Sequence, residues 1–215
     1  MMTKGVPSAP EYLTWYGHDC FKIVGGGSVI VIDPFQLRSP QEPADVILIT
    51  HEHFDHCSPK DFSVLMKPTT VVYAAAACGT DLEVGKLVSV KPGERYEEGG
   101  VVIETVPAYN LGKTFHPNDG TRVGFVVTIE GQRIYHAGDT DLIPEMKDLR
   151  DISVALVPVS GTYVMTPEQA ADAVDSFKPA LAIPMHHGSI IGSATDAERF
   201  RQLAKVPVSI MPQTN

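Results

Sequence analysis

Cysteine is scarce. Cys20, Cys57 and Cys78 are odd in number and form no C-x-x-C pair. That excludes a disulfide framework or a structural zinc knuckle and leaves three reduced thiols in a cytoplasmic protein as the expectation. No run of about 20 apolar residues is present, so no membrane-spanning helix is expected. Residues 1–10 hold two prolines and no apolar stretch of the kind a secretory leader needs, and they read as a short flexible lead-in. Basic residues are few: 17 Lys and Arg against 26 Asp and Glu give a net charge of −9. Duplex affinity rests largely on Lys and Arg neutralising phosphates, so a long nucleic acid is not an expected partner. There is no low-complexity linker, no solenoid-type repeat and no collagen period.

What is present is a globular composition. The chain has 215 residues, of which 43% are hydrophobic. At ~150 residues per domain, and without a linker, it reads as one domain over residues 1–215. Residues 21–24 and 29–32 flank Gly25-Gly26-Gly27 and read as a hairpin that ends at Asp33. Residues 124–129 and 133–136 flank Glu130-Gly131 and form a second one, ending in Gly138-Asp139. The runs at 46–49 and 154–157 are continuously apolar, as strands buried on both faces are. Further strands are expected at 71–76, 87–90, 101–106 and 181–183.

Helices follow these strands. Thr166-Pro167-Glu168-Gln169 gives an N-cap, a proline at the first helical position and a capping box. Ala170, Ala173, Val174 and Phe177 then fall on one face, and Lys178-Pro179 stops the helix. Thr195 with Glu198 opens a second helix, and Ser58-Pro59 a shorter one with Phe62, Leu65 and Met66 inward. Two hairpin-plus-strand halves imply two packed sheets with helices outside, a four-layer αββα arrangement of the α/β class.

The chemistry concentrates after residues 46–49, in Thr50-His51-Glu52-His53-Phe54-Asp55-His56. In extended backbone alternate residues share a side, so His51, His53 and Asp55 project together while His56 approaches from another direction. Three imidazoles and a carboxylate at one point suit Zn²⁺ or a similar transition ion. Gly138-Asp139-Thr140 also follows a strand, and a carboxylate there could bridge two ions. Pro184-Met185-His186-His187-Gly188 follows another, and either histidine could be a ligand. Each motif sits just beyond an apolar run, where α/β sheets present their sites.

Thr50 to His56, Ala137-Gly138-Asp139-Thr140 and Pro184-Met185-His186 resemble the metallo-β-lactamase superfamily. The chain is similar to its small metal-dependent hydrolases related to ascorbate-6-phosphate lactonase. Gly17-His18 with Phe21 resembles the Gly-His-(Ala or Ser)-x-Phe segment that follows the opening strand of that branch. The resemblance spans residues 13–192 and implies the αββα sandwich. It places His51 and His53 on a first metal, Asp55, His56 and His186 on a second, and Asp139 between the two. His187 then lies behind the ligands or faces substrate. Asn110 stands where the family has a third first-metal histidine. Either Asn110 coordinates through its carbonyl oxygen, a weak ligand beside imidazole, or His116 folds back to supply the nitrogen; Gly112, Pro117 and Gly120 give the loop the turns to do so. His136 is expected in the core or hydrogen-bonded to a ligand.

The expected ion is Zn²⁺, one or two per chain, with Mn²⁺ or Fe²⁺ as alternatives. Such an ion lowers the pKa of its water towards ~7. The implied activity is metal-dependent hydrolysis of a small anionic ester, lactone or phosphodiester. Asp55 would handle the nucleophile, and His18 or His187 the substrate or leaving group. The expected partner is that small molecule, with a homo-oligomer compatible. The competing readings are a degenerate member that binds metal and ligand without turnover, a nuclease of the same fold, and a di-iron redox protein. The last resembles H-x-E-x-D-H, with glutamate where this chain has His53.

Overall fold

Alternation along the strands feeds two cores at once. In Ser28–Ile32, Ile30 and Ile32 enter the main core, while Val29 and Val31 enter a second, smaller cluster. Val46 and Leu48 alternate with Ile47 and Ile49, and Val71 and Tyr73 with Val72 and Ala74, in the same way. The continuous apolar runs are therefore strands covered on both faces. The computed structural model of the protein describes residues 7–38, 41–80 and 82–214; residues 1–6 of the expected lead-in lie outside them.

The first sheet holds β1 (Leu13–Gly17), β2 (Cys20–Gly25), β3 (Ser28–Ile32), β4 (Val46–Ile49), β5 (Val71–Ala75) and β6 (Lys86–Val90), in that spatial order. Its first three strands are antiparallel and β3 to β6 are parallel. The second holds β7 (Arg95–Glu98), β8 (Val101–Pro107), β9 (Val123–Ile129), β10 (Gln132–His136), β11 (Val154–Pro158) and β12 (Leu181–Met185), in the order β12-β11-β10-β9-β8-β7. Here β7 to β10 are antiparallel and β10 to β12 parallel. The main core runs between the inner faces: Phe21, Ile23 and Leu48 of one sheet meet Ile103, Phe125 and Ile134 of the other. Fully burying an apolar side chain of this size is worth about 1.5–3 kcal/mol, so this seam holds the sheets together.

Helices cover the outer faces, completing the expected four layers. Among the described residues the first sheet carries a single α-helix, α1 (Pro59–Ser63). Five residues cannot sustain a helix alone; burial of Phe62 and nearby Leu65 against Ile47 and Ile49 anchors it. The second sheet carries α2 (Pro167–Phe177) and α3 (Ala194–Leu203), which pack on each other and on β11 and β12. The capping box of Thr166 and Gln169 forms as read, and Lys178 ends α2 in the left-handed conformation. The α3 start differs: Ser193 is the N-cap, and the Asp196 carboxylate accepts its backbone N–H at 2.7 Å. Cys20, Cys57 and Cys78 form no disulfide. Among the described residues no helix is long and apolar enough to cross a membrane.

Candidate metal centre

The pairing directions send the C-terminal ends of β1, β3, β4, β8, β10, β11 and β12 to one edge of the sandwich. These ends deliver His18 and Asp19, Asp33, Thr50 to His56, Asn110, Asp139, Ser160 and His186 respectively. Cross-links fix the edge: the Val123 N–H donates to the Thr50 carbonyl (3.1 Å) and the His186 N–H to that of His18 (3.2 Å). His18, Asp33, His116 and His186 all take positive φ, between 44° and 58°. Such backbone is uncommon for residues with a side chain and clusters where function requires it.

Among the described residues two groups of ligand atoms form, and a third, His51, His56 and Asp139, overlaps both. In the first, His53 Nδ1 lies 3.0 Å from His51 Nε2 and 3.0 Å from His116 Nε2. A ring nitrogen has one in-plane position, a proton or a lone pair, so His53 Nδ1 can satisfy one neighbour by hydrogen bonding but not both. A cation between the three satisfies all. The far nitrogens set the tautomers. Thr50 Oγ donates to Asp33 Oδ2 (2.6 Å), so it accepts from His51 Nδ1–H (3.0 Å). Asn110 uses its Nδ2 on the Tyr163 carbonyl, leaving Oδ1 to accept from His116 Nδ1–H at 3.3 Å. Both Nε2 lone pairs therefore point inward. Asn110 stands behind His116, and the 110–116 loop is closed by the Asn110 N–H donating to the His116 carbonyl (2.8 Å). Burial holds His51 well below its ordinary pKa and His116 down to about 4, so both are neutral, the form that coordinates.

The second group gathers His56, His186, His18 and Asp19. Asp33 Oδ2 accepts from His56 Nδ1–H at 2.8 Å, and His186 Nδ1 lies 2.8 Å from Ser160 Oγ, which turns both Nε2 atoms inward. Asp139 faces both groups. Its Oδ2 lies 3.4 Å from His116 Nε2 and 3.3 Å from His186 Nε2, and its Oδ1 3.6 Å from His56 Nε2. Two ligands at ~2.0–2.2 Å from a tetrahedral ion stand ~3.3–3.6 Å apart, so these separations fit shared coordination. His56 Nε2, Asp139 Oδ1 and both Asp19 oxygens are buried without a hydrogen-bond partner. Against the effect of burial, the carboxylates of Asp139, Asp33 and Asp19 hold His56 well above its ordinary pKa, and those of Asp139 and Asp19 raise His186 to about 9. The same imidazoles, His186 first, outweigh burial at Asp139 and keep it ionised.

The full length of this arrangement matches a known pattern. A family model described as the β-lactamase superfamily domain matches residues 12–186. The chain belongs to the β-lactamase superfamily. A UPF0173 metal-dependent hydrolase of Thermoplasma acidophilum is 34% identical over 205 residues, 89% of this chain and 90% of the relative. One from Methanopyrus kandleri is 34% identical over 208 residues, 88% and 90% of the two chains. Among solved structures, a Parabacteroides distasonis protein assigned as a metal-dependent hydrolase superposes with a TM-score of 0.84 at 34% identity, over 94% of this chain and 93% of that one. A metallo hydrolase of Ignicoccus hospitalis shares the fold at a TM-score of 0.78 and 24% identity, over 94% and 95% of the two chains.

Of the superfamily motif, Glu52 turns away to pair with Arg122. Asp55 accepts from His18 Nε2 at 3.1 Å and lies 4.0 Å from His56 Nε2. His187 is not brought to the cluster: its ring packs on Trp15 with centroids 5.0 Å apart. His136 is fully buried; its Nε2 donates to the Asp19 carbonyl (2.9 Å) and its Nδ1 accepts from the Gly138 N–H (3.2 Å). Asp19 and Asp33 were not singled out from the sequence. The cluster opens into a cavity of about 450 Å³, floored by His53, Asp55, His116, Asp139 and His186 and walled by Phe54, Phe115, Tyr163, Ile190 and Ile191.

Proposed function

We propose that the chain, acting as one domain, is a metal-dependent hydrolase of small esters, lactones or phosphodiesters. The observation that carries this reading is Asp139, one ionised carboxylate within 3.3–3.6 Å of imidazole nitrogens from both groups. His51, His53 and His116 would hold a first ion, His56, His186 and Asp55 a second, and Asp139 both. A pocket of three imidazoles and one shared carboxylate suits Zn²⁺, and the one with a further carboxylate Zn²⁺, Mn²⁺ or Fe²⁺. Such ions lower the pKa of bound water towards ~7 and polarise the substrate's carbonyl or phosphoryl oxygen.

The chain's own groups do the rest. Asp55 stands in the cavity floor, and against burial the His18 hydrogen bond together with the His56 and His18 imidazoles keeps it ionised, so it can take the proton of the attacking water. His18 is buried behind it and acts by steadying that carboxylate. None of the described residues lining the cavity is Lys or Arg, and nearby Lys113 is held by Asp141 and the Val164 carbonyl. A substrate anion would therefore meet the ions, while its non-reacting part meets the apolar wall. That wall includes four of the large exposed apolar side chains, Phe54, Phe115, Tyr163 and Ile190. The same lining disfavours a nuclease, which needs cations for the phosphate backbone. Three unpaired thiols agree with a cytoplasmic setting.

The test is metal analysis of the purified protein followed by a hydrolysis screen. Lactones come first, because Gly17-His18 and Phe21 resemble the lactonase branch, then thioesters and phosphodiesters with aryl or alkyl groups. Turnover that disappears on chelation and returns with Zn²⁺ or Mn²⁺ supports the reading. Turnover indifferent to chelation overturns it.

A further inference from the structure

Asp19 has no explanation in the ligand set so far. Its exposure is 0% and neither carboxylate oxygen has a hydrogen-bond partner. A buried carboxylate is among the costliest groups to leave unpaired. Among the described residues no Lys or Arg pairs with it. The groups facing it are His18, His56, His186, Asp139 and Asp33, and its Oδ2 lies 3.5 Å from His56 Nε2. One ligand atom each from His18, Asp19, His56 and His186 fits within 4.8 Å. The residue is also held in place: His136 bonds its carbonyl and the Gly138 N–H together, tying Asp19 to the turn that presents Asp139. The Gly-His-(Ala or Ser)-x-Phe segment has a small residue in this slot, where the chain carries a carboxylate.

We infer that Asp19 is a further oxygen ligand of the second pocket, beside His56, His186 and Asp139, and that it makes this pocket select a harder ion than the first. The inference rests on the two-ion reading above. The 3.5 Å between Asp19 Oδ2 and His56 Nε2 is the edge of a shared coordination shell, like the 3.3 and 3.6 Å edges to Asp139. The pockets then differ in kind. The first offers three imidazoles and the shared Asp139, a set for borderline Zn²⁺. The second offers two imidazoles and at least two carboxylates, a set that favours Mn²⁺ or Fe²⁺ and a coordination number above four. The missing partner of Asp19 is the ion.

The test uses the full-length metal-free protein, Asp19→Asn, which keeps the shape, and Asp19→Ala. Mn²⁺ binding is followed by the electron paramagnetic resonance of the free ion, with one Zn²⁺ per chain already loaded. Wild type should bind one further Mn²⁺, and both variants should bind it at least ~10–100-fold more weakly while keeping the Zn²⁺. With Co²⁺ in the second pocket, Asp19→Asn should shift the visible absorption towards the stronger bands of lower coordination. Mn²⁺ affinity and Co²⁺ spectrum unchanged in Asp19→Asn would overturn the ligand role while leaving the two-ion reading intact. Wild type that takes no second ion of any kind would overturn both.

Discussion

Replacing His116 by alanine removes one of three nitrogens converging on the first pocket, and replacing Asn110 removes only the group behind it. The two losses should differ in kind. His116→Ala leaves His51 and His53, and Asp139 Oδ2 loses a neighbour at 3.4 Å. The metal content of this variant should fall from two towards one per chain. Asn110→Ala deletes the acceptor that holds His116 Nδ1–H at 3.3 Å. Lost supports of this type weaken metal affinity ~10–100-fold, about 1.4–2.8 kcal/mol at ~1.4 kcal/mol per tenfold, so two ions should still bind at saturation. Asn110→His should not improve the site, because position 110 is buried behind His116 and not beside the ion. Competition against a chromophoric chelator gives the affinities, elemental analysis the counts, and unfolding of the metal-free proteins controls for damage to the fold. Two tight ions in His116→Ala with wild-type affinity would refute the reasoning.

His51→Ala and His56→Ala should each abolish hydrolysis of whatever ester or lactone the wild type turns over, with circular dichroism unchanged; retained turnover in either removes the residue from the site. Asp139→Asn should lower metal content and cut kcat by at least ~10–100-fold, and full rate with both ions bound would reduce Asp139 to a turn former. His186, raised to about 9 chiefly by Asp139 against burial, gains stability from its proton below its unfolded pKa of ~6.5 and loses it as pH rises through about 9. The metal-free protein should therefore melt at falling temperatures between pH ~6.5 and ~9, and His186→Ala should flatten that slope; an equally steep slope in the variant contradicts the assignment. A Cβ at Gly124 would lie 2.8 Å from the His136 carbonyl and 2.9 Å from that of Ala137, so Gly124→Ala should cost about 1–3 kcal/mol in denaturant unfolding.

The sequence carried those parts of the fold and site whose cause is local. The Gly25-Gly26-Gly27 and Glu130-Gly131 turns and the capping box at Thr166 are each set by near neighbours, and each stands where it was read. The segment from His51 to His56 is a turn, not extended backbone: the His56 and Cys57 N–H groups donate to the His53 carbonyl, so Asp55 pairs with His18 and does not project with His51 and His53. The start of α3 was displaced because Thr195 with Glu198 and Ser193 with Asp196 both offer a capping pattern, and the structure uses the second, with Asp196 accepting from the Ser193 N–H and hydroxyl. Strand β7 escaped notice because Arg95–Glu98 is a charged edge strand with little apolar alternation. The site residues that were missed act across sequence gaps. Asp33 serves His56 from 23 positions away, and Asp19 reaches His186 only because β1 and β12 end side by side on facing sheets. No spacing rule connects such pairs. Asn110 and His116 are six residues apart, close enough for their relation to be posed, but the direction of the hydrogen bond required the Tyr163 carbonyl, 53 residues on.

The most direct test of the two-ion site is anomalous X-ray scattering from crystals soaked in Zn²⁺ and in Mn²⁺. The account expects two peaks about 3.5–4 Å apart, one between His51, His53 and His116, the other beside His56, His186 and Asp55, with Asp139 touching both. A single peak, or peaks that leave Asp139 outside contact distance, would contradict it.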